Sequence, residues 1–72
     1  MIKGSQKIVV NGQEIKVMRG MTVWELLDLL KESHKTDMLV EINNRFIHEK
    51  IYESTVLQEG DCIEIIHMAM GG

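Results

Sequence analysis

KIVVNGQEIKVMRGMTVWELLDLL, residues 7–30, decides the fold. Two short β-rich runs flank Asn11-Gly12, and both of those residues tolerate the positive φ angles that a two-residue type I′ hairpin turn requires. With that turn, Ile8, Val10, Gln13, Ile15 and Val17 share one face. Lys7, Glu14 and Lys16 fall on the other, with Val9 and Met18. Thr22-Val23-Trp24-Glu25 has the form of a capping box, in which hydroxyl and carboxylate satisfy orphaned backbone N–H groups at a helix start. Val23, Leu26, Leu27 and Leu30 then recur at i, i+3, i+4 and i+7, a stripe suited to packing on a sheet. This pattern predicts a helix that fades near residues 34–36.

Further along, MLVEI (38–42) reads as a short strand, Asn43-Asn44 as a turn, and Arg45-Phe46-Ile47 as a brief partner strand. HEKIYEST (48–55) reads as an irregular crossover. Gln58-Glu59-Gly60-Asp61 is a turn that launches CIEIIHM, in which Ile63 and Ile65 alternate with Cys62, Glu64 and Ile66. The expected architecture is α+β, a mixed sheet of four to five strands packed on one α-helix. Residues 1–6 are expected to be a loosely ordered N-terminus, 7–68 the domain and 69–72 a flexible tail.

Composition narrows the function classes. The 72 residues, 44% hydrophobic and 26% charged, suit one small globular domain. A net charge of −3, scattered Lys and Arg, and only Trp24, Phe46 and Tyr52 as aromatics argue against nucleic-acid binding. No apolar run approaches the roughly 20 residues that span a bilayer, and the lone Cys62 can form no internal disulfide. The expectation is a cytoplasmic protein, monomeric on its own and without membrane attachment.

Enzymatic groups are sparse. His34, His48 and His67 lie far apart without neighbouring ligands at metal-binding spacing, so no metal site is expected. Cys62 reads as an inert apolar filler, because no base is apparent to lower its pKa. Glu49/Glu53 and Glu59/Asp61 read as solvated charges.

Gly71-Gly72 differs in kind. At average glycine usage, a diglycine end arises by chance in roughly 0.5% of chains. Lacking Cβ atoms, the pair can thread a passage too narrow for other residues. The reactive group would then be the α-carboxylate of Gly72, activated by adenylation in a larger partner. Ala69 and Met70 would form the lead to it. Glu64, Ile66 and Met68 would share the sheet face opposite the helix, where a partner would dock.

The VNG hairpin at 10–12, TVWELL at 22–27, VEINNRFI at 40–47, LQEGDCIEII at 57–66 and Gly71-Gly72 together resemble the ubiquitin-like β-grasp sulfur carriers of the ThiS/MoaD family. The resemblance implies a carrier rather than an enzyme. A ThiF-like enzyme would adenylate Gly72 with ATP and magnesium, with no cofactor stably bound by the carrier itself. The resulting thiocarboxylate would pass sulfur to a ThiG-like thiazole synthase in thiamine biosynthesis. Related carriers serve molybdopterin, cysteine or homocysteine synthesis and tRNA thiolation, and ubiquitin-like modifiers conjugate through the same glycine. Sulfur transfer and conjugation share the first acyl-adenylate step.

Overall fold

The computed structural model describes residues 4–32 and 38–68. Strands β1 (Ser5–Val10) and β2 (Gln13–Met18) form the expected hairpin, with Val10 opposite Gln13 and Ile8 opposite Ile15. Asn11 and Gly12 take φ of 50° and 84°, the left-handed pair that a type I′ turn demands. Helix α1 (Val23–Leu29) follows, then β3 (Met38–Ile42), β4 (Arg45–Ile47), a turn of 3-10 helix (Glu49–Ile51) and β5 (Cys62–His67).

The sheet has five strands in the order β2-β1-β5-β3-β4. β5 lies parallel to β1 and antiparallel to β3, so the last strand enters between the two hairpins. One helix across one face of this mixed sheet is the ubiquitin-like β-grasp arrangement. Ile8, Val17, Val40, Ile63 and Ile65 point from the sheet toward Val23, Leu26 and Leu27 of α1, and all are buried. Tyr52, from the 48–55 crossover, and Leu57 just after it close the core.

The helix start is fully satisfied. Thr22 Oγ1 accepts the Glu25 N–H at 3.2 Å, and Glu25 Oε1 accepts the Thr22 N–H at 3.0 Å. The Val23 and Trp24 N–H groups donate to the Thr55 and Tyr52 carbonyls. Every orphan donor of the first turn thus has a partner, two of them supplied by the crossover.

Two expectations are corrected. The helix ends at Leu29 instead of fading near 34–36, because Lys31 enters the left-handed region at φ 60°. Its N–H donates to Asp28 O while the Glu32 N–H donates to Leu27 O, the paired bonds of a Schellman stop. The start of the domain is also earlier than residue 7. Ser5 and Gln6 belong to β1, and Gln6 is buried, with Nε2 donating to Leu57 O at 3.1 Å. That bond satisfies a polar side chain in an inward position of β1.

Candidate functional site

The sheet has one covered face and one open face, and β5 runs through the middle of both. The residues that define its edges are the two asparagine turns. Asn43 and Asn44 take φ of 53° and 70°, so β3 and β4 join by the same turn chemistry as β1 and β2. Asn43 Oδ1 accepts the Cys62 N–H at 3.0 Å, and Asn43 Nδ2 donates to Asp61 Oδ1 at 3.0 Å. Asn11 Oδ1 accepts the Ile65 N–H at 2.8 Å. Each turn therefore reaches sideways to hold β5. Asp61 also accepts the Gln58 N–H, which closes the 58–61 turn against β1 through the Gly60 N–H to Lys7 O bond.

With β5 so held, its outward side chains are fixed in register with their neighbours. Glu64 lies directly opposite Glu41, which lies opposite Phe46. Ile66 lies opposite Leu39, and Met68 follows beyond the last paired residue. Phe46 is 56% exposed, Met68 39% and Ile66 37%. The Phe46 ring meets the His48 ring edge-on, with centroids 6.1 Å apart. The face is thus an apolar patch around a pair of carboxylates. Like charges directly opposite each other across strands cost stability, and no ion pair to either carboxylate is present among the described residues.

Of the residues singled out from the sequence, Glu64, Ile66 and Met68 are all exposed, Glu64 and Ile66 on this open face of β5 and Met68 just beyond its end. Phe46, Leu39 and Glu41 join them. They were missed because the β3–β5 register was not readable from either strand alone. Ala69, Met70, Gly71 and Gly72 lie outside the described residues.

Other candidates carry less chemistry. Cys62, read as an apolar filler, is exposed on the open face at the start of β5. His48 accepts the Lys50 N–H, and His67 pairs with Glu32 at 2.9 Å. Among the described residues no three His, Cys, Asp or Glu side chains are grouped to hold a metal ion, and no helix is long and apolar enough to cross a membrane. A shallow groove on the helix side is lined by Met18, Arg19, Met21, Glu25, Asp28 and Leu29. Its Glu25 carboxylate is already engaged in the helix cap. The Tyr52 phenol is raised above its ordinary value by burial and, second, by the Glu49 carboxylate. Its ring is part of the core.

Among the described residues, the open face around β5 is an exposed apolar patch around the Glu41–Glu64 pair. The family model for the ThiS family matches residues 3–72, nearly the whole chain and including both terminal glycines. The chain belongs to the ThiS family.

Two solved structures of a thiamine biosynthesis protein from Geobacter metallireducens are similar to this ThiS-family chain. The crystal structure of that protein, named ThiS, is 28% identical over 93% of this chain and all of its own, with a TM-score of 0.81. The solution structure is 28% identical over 93% of this chain and 88% of its own, with a TM-score of 0.75. No curated protein sequence matches significantly. Membership in the ThiS family supports a sulfur-carrier role.

Proposed function

We propose that this chain carries sulfur as a thiocarboxylate on Gly72 and donates it in thiamine biosynthesis. The observation that carries the reading is the ThiS family match running through Gly71-Gly72. The pathway is supported by the thiamine biosynthesis proteins of Geobacter metallireducens with which the chain shares its fold.

In this reading a ThiF-like enzyme uses ATP and magnesium to convert the Gly72 carboxylate to an acyl-adenylate, releasing pyrophosphate. A sulfide equivalent from a sulfur donor then attacks the acyl carbon, and AMP leaves. The product has sulfur in place of one carboxylate oxygen. A ThiG-like thiazole synthase takes that sulfur, and the carboxylate is regenerated. The carrier contributes recognition, through Glu64, Ile66 and Met68 with their neighbours Phe46, Leu39 and Glu41. It also contributes a slim lead, Ala69 to Gly72, in which glycine lets the backbone adopt whatever conformation the partner imposes.

The test is intact-mass spectrometry after incubation with the cognate ThiF-like enzyme, Mg-ATP and a sulfur donor. The expected result is a gain equal to the mass difference between sulfur and oxygen, mapped to the C-terminal peptide and lost on addition of the thiazole synthase and its substrates. Absence of any gain overturns the carrier reading. A gain that persists with thiazole synthase but is discharged by another sulfur acceptor overturns the assignment to thiamine. Conjugates to lysine on a denaturing gel would place the chain among protein modifiers instead.

A further inference from the structure

We propose that Glu32 and His67 form a positioning clip that fixes the residue at which the chain leaves the sheet toward Gly72. The proposal rests on the reading that the Gly72 carboxylate is the reacting group. Side chains alternate along β5, so the inward row runs Ile63, Ile65, His67. The first two are buried in the core, but the third is half-exposed and polar.

What meets it is the turn after α1. The Schellman stop at Lys31 fixes the Glu32 backbone through its N–H bond to Leu27 O at 2.9 Å. From there Glu32 Oε1 lies 2.9 Å from His67 Nε2, whose N–H donates to it. Among the described residues no other His, Lys or Arg side chain lies within ion-pair distance of a carboxylate. The pair joins the helix terminus to the last paired residue of β5, where His67 lies opposite Met38.

An exposed pair contributes little to global stability. Its leverage is local, since strand ends open at far lower cost than the whole domain unfolds. A pair of this exposure changes such an opening equilibrium by a factor of about two to five. With His67 held, residues 68–72 can extend at most about 17 Å from the sheet. If Ile66 and His67 peel away, the greatest covalent reach to Gly72 rises to about 24 Å, and Ile66 is lost from the docking face. A partner that grips this face and reacts at Gly72 needs a defined span between the two, because effective concentration falls when a tether is longer than the span it must cover.

The experiment uses the full chain with His67→Ala, Glu32→Ala, the double variant and His67→Gln, which keeps an N–H donor. Amide hydrogen exchange at the open end of the β3–β5 ladder is measured on each protein alone. ATP–pyrophosphate exchange is then followed with the cognate ThiF-like enzyme, with a Gly72 deletion in parallel. Both alanine variants should speed exchange at that end about two- to fivefold, and should raise KM for the carrier by no more than that factor, with kcat held. The double variant should add nothing further, and His67→Gln should recover part of both effects.

Unchanged amide exchange, or faster amide exchange without a change in KM, overturns the clip. Additive single-variant effects also overturn it, because the two residues would then act independently. A Gly72 deletion that leaves pyrophosphate exchange intact overturns the functional reading instead, and the amide exchange still reports whether Glu32 holds His67.

Discussion

The side-chain oxygen of Asn11 accepts the backbone N–H of Ile65 at 2.8 Å, so the turn of the first hairpin supplies a ladder bond to the last strand. The Asn11 N–H donates to Ile63 O at 2.9 Å, and its φ of 50° builds the turn itself. One residue meets a local demand and a demand from 54 positions away.

These two demands can be separated. Asn11→Gly keeps access to the left-handed region but removes the acceptor, leaving the part-buried Ile65 N–H unpaired, at a cost of about 1–3 kcal/mol. Asn11→Ala loses the acceptor and adds about 1–2 kcal/mol of backbone strain. Urea unfolding should therefore rank wild type above Gly above Ala. Equal loss in the two variants would show that the turn conformation contributes nothing.

Lys31 holds a left-handed position, at φ 60°, where glycine is the usual occupant. Lys31→Gly should raise stability by about 1 kcal/mol, a Tm increase of about 4–8 °C for a domain of this size. Calorimetry checks this. A fall in Tm would mean that the entropy of a flexible unfolded chain outweighs relief of the strain.

Those two residues also show why the sequence was legible in one place and opaque in another. Asn11-Gly12 announces its turn because both residue types are at home at positive φ, and Thr22 with Glu25 announces the helix start by spacing alone. The helix end carried no such signal. Lys31 gives no hint of a stop, and the Leu30 stripe position invited continuation. Gln6 was opaque for a related reason, since its burial depends on the Leu57 carbonyl, 51 residues distant. At the candidate site, alternation along β5 was enough to put Glu64 and Ile66 on one side, with Met68 just beyond the strand end. Phe46, Leu39 and Glu41 required the register between strands, which is a tertiary property.

The raised pKa of Tyr52 gives a pH prediction with a definite sign. Burial and Glu49 make the folded state hold the phenolic proton above the ordinary value of 10.0. Between the unfolded and folded pKa values the unfolded chain binds fewer protons, so stability falls as pH rises. The stabilising contribution is fully present below pH 10 and lost as pH climbs through the folded value. Tyr52→Phe should flatten this alkaline limb in denaturant titrations between pH 8 and about pH 11. An identical limb in the variant would assign the loss to other groups.

A change at Glu64 separates stability from the proposed partner binding. Glu64 faces Glu41 directly across the β3–β5 ladder, an arrangement that costs the isolated domain. Glu64→Lys replaces repulsion with attraction and should stabilise the free protein by about 0.2–1 kcal/mol. If the open face docks the adenylating partner, the same change should weaken that complex about tenfold or more, since a misplaced charge at an interface costs several kcal/mol. Ile66→Asp should weaken it as well, by removing an apolar contact beside the carboxylates. Thermal unfolding of the free variants and titration calorimetry with the partner separate the two effects. A Glu64→Lys protein that is more stable and binds undiminished would show that the carboxylate pair contributes nothing to docking and would move the interface to another surface.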